Sequence, residues 1–497
     1  MGTGPSSVAA LVPVGQASPA SNDGWRGPLG CSDARMLRRA CRAQPVRLGV
    51  DCIHSYRALI RPAPPGLAQK GSPPAVVHIV SSDHGAIDAS SSGVSSGPGD
   101  RMPREVWVLS AMTFLTALGF GLIGPALPAL ASMFNISATL ASLAISGFAA
   151  FRLAANLGFS GLLKRFRLRS VLFLGLGVQA LCSIVAGLAA DGTMFLLFRS
   201  LSGLGSAAVT VSATALLLAV TPTRLRGRAT STYFGASSLG AITGPAIGGF
   251  LAVSDPRLPL VIYGVCLALA SAVSFFLLRA VRDVRTAEAE ATAADGGRLT
   301  PLGLARQLFS HPLFATALWC HFAVGWTLYG MRTTTVPLYL GLAGWTTTII
   351  GVAMTAAAMT QVIGSAAAGT ASDRWGRLRP LTIGIAFGMI AFGIVALTAG
   401  EIPIFIAFVL MGLANGALAT VPAAMIGDVP LGGSGMGVAL YWIVFDVAAI
   451  IGPIVSGLIA DNAGFTGAFV LAQWPFLACI VSATVAGRWQ RRQRASA

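Results

Sequence analysis

The chain has 497 residues, 54% of them hydrophobic and only 10% charged, and a formal net charge of +16 at pH 7. This composition argues against a soluble fold, and the length suffices for a dozen membrane spans. The arginines form short clusters between apolar runs, not one stripe, so the charge reads as topological and nucleic acid is not expected as a partner.

Residues 1–101 are rich in Pro, Gly, Ser and Ala and lack any run apolar enough to span a bilayer. They are expected to be a disordered, low-complexity extension. They contain no signal-peptide pattern. Two readings are open for them: a regulatory tail, or an extension ahead of a true start at Met102.

Apolar runs then follow in order. In the first half they lie near 107–131, 140–162, 170–189, 193–219, 229–253 and 258–278; in the second half, near 312–339, 346–370, 380–399, 402–425, 435–459 and 467–487. We number these spans one to twelve. A charged connector, 279–309, carries Arg279, Arg282, Arg285, Glu288 and Glu290 between a first bundle, 102–278, and a second, 310–487, and a basic tail closes the chain at 488–497. Arginine clusters follow spans two (Arg165, Arg167, Arg169), four (Arg224, Arg226, Arg228) and eight (Arg374, Arg377, Arg379), whereas the alternate loops are nearly bare. The positive-inside bias therefore places both termini in the cytoplasm of a multi-pass plasma-membrane protein.

The two halves repeat. Pro128 and Pro337 stand 209 positions apart, as do Gly203 and Gly412; at an offset of 208, Tyr233 falls on Tyr441 and Pro245 on Pro453. A repeat of this length is no solenoid unit, and parallel duplication of a six-helix half is a transporter layout.

Span five contains Gly240-Ala-Ile-Thr-Gly244-Pro245-Ala-Ile-Gly248-Gly249. Glycines four apart leave a groove for another backbone, and proline permits a bend. After span eight comes Gly369-Thr-Ala-Ser-Asp373-Arg374-Trp-Gly376-Arg377. At these two strings the chain resembles the major facilitator superfamily, the first matching its antiporter motif and the second its GxxxDRxGRR loop. The resemblance implies an all-α integral membrane fold of twelve transmembrane helices in two pseudo-symmetric six-helix bundles. It also implies alternating access, a small-molecule substrate, protons as coupling partner, and a cytoplasmic gate in which Asp373 meets the start of span five near Arg228. The matching first-half loop departs from the pattern, with Lys164 where the family has Asp, so that lock is expected to rest on Asp373. Arg199-Ser-Leu-Ser-Gly203-Leu-Gly205 in span four resembles the family's RxxxGxG motif, whose arginine is linked to proton transfer; snorkelling to the outer interface is the competing reading.

Asp446 is the one acidic residue placed well inside a span, in span eleven, and Arg152 in span two is its natural countercharge across the bundle interface implied by the resemblance. Their repeat mates, Ser238 and Gln361, are neutral. The pair reads either as a proton-coupling switch or as a permanent structural tie. Trp319, Phe322, Trp326 and Tyr329 lie on one face of span seven, either as an aromatic cavity wall for a hydrophobic or cationic substrate or facing lipid. Asn415 and His321 are further cavity candidates, whereas Arg332 is expected to snorkel.

No Walker loop, HExxH or paired catalytic carboxylates occur, and the seven cysteines show no metal-ligand spacing, so no enzyme, cofactor or metal is expected. The leading functional expectation is proton-coupled efflux of small hydrophobic or amphipathic compounds by a monomer in the lipid bilayer. The alternatives are a proton symporter importing a sugar, amino acid or organic anion, and a non-transporting sensor or membrane enzyme.

Overall fold

The computed structural model describes residues 102–162, 167–278, 301–430 and 435–496. The extension 1–101, the lock position Lys164 and connector residues 279–300 lie outside them. Among the described residues the chain is helical throughout, with no strand.

Every apolar run becomes a helical span because a bilayer leaves backbone polar groups no partner except within the helix itself. The first six are Arg104–Met133, Ala138–Leu162, Leu168–Gly187, Gly192–Val220, Arg226–Leu251 and Leu258–Leu277. A short helix, Pro301–Ser310, leads into span seven. That span is built of three consecutive pieces: an α-helix (Pro312–Gly325), a π-helical stretch (Trp326–Thr335) and a last α-helical segment (Val336–Leu342). Spans eight to ten are Thr347–Trp375, Leu378–Leu397 and Glu401–Gly427. Spans eleven and twelve begin as one run, Gly435–Leu471, broken at Gly464, whose φ of 77° is open to glycine and strained for other residues. Span twelve ends in Trp474–Ser496, so the basic tail continues its helix. Tyr339 packs on Phe469 near one end of spans seven and twelve and His311 on Trp489 near the other, so these two spans run antiparallel.

Glycine seams hold the spans together. A Cβ on Gly240, Gly244 or Gly248 would meet the carbonyl of Phe114, Leu118 or Leu122 in turn, and the one on Gly244 would stand 3.0 Å from Gly121 Cα. Between lipid-like surfaces with no hydrophobic drive to associate, such close backbone approach supplies the packing. The repeat reproduces this contact in the second half. Gly330 and Gly452, the mates of Gly121 and Gly244, are apposed in spans seven and eleven, where a Cβ on Gly330 would lie 2.9 Å from the Gly452 carbonyl carbon. Large apolar side chains such as Phe250, Phe276, Leu397 and Val481 are exposed on the outer faces, as lipid contact requires.

The two bundles meet unevenly. Toward the arginine-poor end, a Cβ on Gly249 would meet the carbonyl of Thr347 and stand 3.1 Å from Gly351 Cα. Thr347 also donates its hydroxyl to the Gly249 carbonyl at 2.9 Å. On the other side of the interface, Asp461 accepts from the backbone N–H groups of Ala138 and Thr139 at 3.1 and 2.9 Å. A carboxylate from span eleven thus caps the N-terminus of span two, where the helix dipole favours negative charge. These contacts between the bundles lie at the arginine-poor end.

Candidate functional site

Halfway along the interface, Arg152 of span two donates through Nη2 to the Asp446 carboxylate of span eleven. Its Nη1 donates to the Tyr329 hydroxyl of span seven at 3.3 Å. The Asp446 side chain is 8% exposed and that of Arg152 21%. Each charge lies in the middle of an apolar run, where an unpaired ion is costly, so the pair ties the bundles together at mid-depth. Tyr329 extends the junction to span one through Phe120, at a ring distance of 4.7 Å.

Two cavities of about 270 and 210 Å³ flank this junction and share Phe120, Ala241 and Tyr329 in their walls. The larger is lined mostly by the first bundle, with Arg152, Gln179, Arg199, Thr210 and Tyr263 among its polar groups. The smaller lies between the bundles and carries Arg332, Thr333 and Gln361. A mostly apolar enclosure with a few convergent polar groups is the general form of a small-molecule site.

Arg199 does not snorkel. It is buried at 3% exposure, lies over the Phe148 ring at 4.6 Å, and donates through Nη1 to Ser202 Oγ at 3.1 Å, while its Nε has no partner. Arg332, expected to snorkel, is buried too and donates to Gln361 Oε1 at 2.8 Å. The reason is local. Thr333, Thr334 and Thr335 each donate to a carbonyl five residues back, at 2.6, 2.7 and 2.8 Å, and these hydroxyl bonds accompany the π-helical stretch that shifts the phase of span seven.

The same phase shift divides the aromatic stripe. Trp319 and Trp326 pack on Trp474 of span twelve at 6.0 and 5.5 Å, and Phe322 on the same ring at 5.5 Å. These three side chains fasten span seven to span twelve and do not line either cavity; of the four, Tyr329 does. Asn415 is buried and accepts from the Thr327 hydroxyl at 2.8 Å, inside the second bundle. His321 is stacked on Tyr441 at 3.6 Å, away from both cavities.

The expected gate contact between Asp373 and the start of span five is not made. Arg377 donates to Asp373 at 2.9 Å and to Asp428, at the end of span ten, at 2.8 Å. The Asp428 contact first, and then Asp373, push the Arg377 pKa up. Gly376, with φ 81°, makes the turn between spans eight and nine, Gly369 packs near Thr420, and Arg374 and Arg228 are exposed. Both carboxylates belong to the second bundle, so the motif forms a clamp within it. Asp461, the latch at the opposite end, was not singled out from sequence. Its partner is a helix N-terminus more than 300 residues away, which leaves no local signature.

Two pseudo-symmetric six-helix bundles around a central, partly polar cavity define a polytopic membrane transporter, not an enzyme. The chain belongs to the major facilitator superfamily, whose family model matches residues 109–401 and 343–496. It is 27% identical over 172 residues to multidrug resistance protein 2 of Bacillus subtilis, a match covering 35% of this chain and 43% of that protein. With the quinolone resistance protein NorA of Staphylococcus aureus it shares 23% identity over 177 residues, covering 36% and 46% of the two chains. The matches thus span less than half the length of these curated relatives. Among solved structures, a bacterial homolog of the human lysosomal transporter Spinster, in an inward-facing and occupied conformation, superposes with a TM-score of 0.62 at 16% identity, over 77% of this chain and 96% of that one. The nucleoside transporter NupG gives 0.62 at 12% identity, over 78% and 99%. At these identities the likeness is one of fold.

Proposed function

We propose that this transporter exports small amphipathic compounds in exchange for protons. The observation that carries the reading is the Arg152–Asp446 pair, the mid-depth ionic tie between the bundles, set beside the cavities. Protonating Asp446 removes its charge, weakens its hold on Arg152, and lets the bundles rock about the Tyr329 junction. Coupling is assigned to this pair and not to Arg199, since Arg199 has no acidic partner through which to exchange a proton. The exporting direction is supported by the antiporter string, whose last glycine, Gly249, packs on span eight at the arginine-poor end, and by the names of the drug-resistance relatives. The positive-inside bias makes that end external, so the closed outer seam corresponds to an inward-facing state in the plasma membrane. In this state Asp373 waits apart from span five, and the gate among Asp373, Arg374, Arg377 and Arg228 closes when the inner ends approach.

The test uses purified full-length protein in lipid vesicles with a reporter of internal pH and a panel of amphipathic compounds. Substrate movement opposite to protons, driven uphill by an imposed pH gradient, is the expected result. Movement in the same direction as protons would overturn export in favour of symport, and absence of coupled movement across the panel would overturn the coupling role.

A further inference from the structure

The middle of this protein carries more positive charge than its own acids neutralise. Three arginines, Arg152, Arg199 and Arg332, line the two cavities, and among the described residues no acidic side chain lines either one. Asp446 satisfies Arg152 alone. Arg199 has only a serine hydroxyl and an aromatic face, and Arg332 a neutral amide. A guanidinium stays ionised in a protein, so these charges do not vanish by deprotonation, and a buried charge at this depth calls for a counter-ion. Two of the rings that line the larger cavity already face an arginine. Arg199 covers Phe148 at 4.6 Å and Arg152 lies 5.8 Å from the Tyr329 centroid.

We propose that the substrates are amphipathic organic anions. A carboxylate, sulfonate or phosphate group seats on the Arg199 guanidinium, which lines the larger cavity and has only a serine hydroxyl as hydrogen-bond partner, and Arg332 in the adjoining cavity supplies the second positive charge. The apolar body lies along Phe120 and Tyr329, which are common to both cavities. The inference rests on the reading of these cavities as the transport site, but not on proton coupling or direction.

Equilibrium binding separates the two questions, because it requires neither a gradient nor a direction. Three probes with one fluorophore and different head groups are titrated into the full-length protein in nanodiscs: dansylglycine (anionic), dansylglycinamide (neutral) and dansylcadaverine (cationic). The expected result is at least about tenfold tighter binding of dansylglycine than of either counterpart, competed by other organic anions. Arg199→Gln abolishes that preference, Arg199→Lys restores part of it, and Arg332→Gln reduces it. Size-exclusion profiles and thermal unfolding confirm that each variant is folded; if Arg199→Gln does not fold, the wild-type ranking and Arg332→Gln decide. Equal binding of the three probes, preference for the cationic one, or no binding of dansylglycine at millimolar concentration would overturn the proposal. Anion preference without proton exchange in vesicles would leave it standing and overturn the export reading alone.

Discussion

At the residue scale, the informative side chains are charges that an apolar run has no packing reason to hold. Asp446 and Arg152 are legible in the sequence for that reason, and the structure joins them. If Asp446 carries the coupling proton, Asp446→Asn abolishes gradient-driven transport in vesicles, by at least about tenfold, while leaving substrate exchange without a gradient within about twofold. A permanent structural tie would lose both together. Arg152→Gln leaves a buried carboxylate without its guanidinium and is expected to cost about 3–5 kcal/mol in chemical unfolding, with the double neutral variant recovering most of the loss. The fates of Arg199 and Arg332 were not legible. Composition says that each is expensive in a span, but whether a side chain reaches the interface or turns into a cavity depends on what stands around it.

Among elements, span seven shows how a local change of helix type redirects chemistry. Helical spacing puts Trp319, Phe322, Trp326 and Tyr329 on one face, but the π-helical stretch that begins at Trp326 turns Tyr329 toward the cavities and leaves the other three against Trp474. Hence Trp326→Ala, at a site 2% exposed, is expected to lower stability by about 3–5 kcal/mol in chemical unfolding and to change ligand affinity less than about twofold. Loss of affinity without loss of stability would contradict this assignment. The glycine string of span five was legible as a groove, though its division of labour was not. Gly240, Gly244 and Gly248 serve span one, whereas Gly249 serves span eight across the interface. Gly249→Leu should therefore open the arginine-poor seam, seen as severalfold faster labelling of a cysteine introduced nearby. Gly235→Leu, with nothing within 4 Å of its added Cβ, serves as the silent comparison.

For the whole molecule, closure at one end is held by contacts joining the two halves: Gly249 with Gly351 and Thr347, and Asp461 with the start of span two. Removing the second contact by Asp461→Ala should shift the population toward opening at that end. Spin labels at Asn135→Cys and Ala343→Cys, both on exposed loops there, would report it as a longer distance component; an unchanged distribution would show that the glycine seam suffices alone. The sequence by itself determined that the chain crosses a membrane, where its spans run, that its halves repeat, and which glycines and which carboxylate break the pattern, because hydropathy, spacing and charge are properties of a single strand of residues. Tertiary structure alone decided which end is shut, that Arg377 and not the start of span five takes Asp373, that Asp461 latches span two, and that two mid-membrane arginines lack acids. Each of these depends on which groups from distant elements come within a few ångströms, and pairing at that range is set by how the bundles pack and tilt.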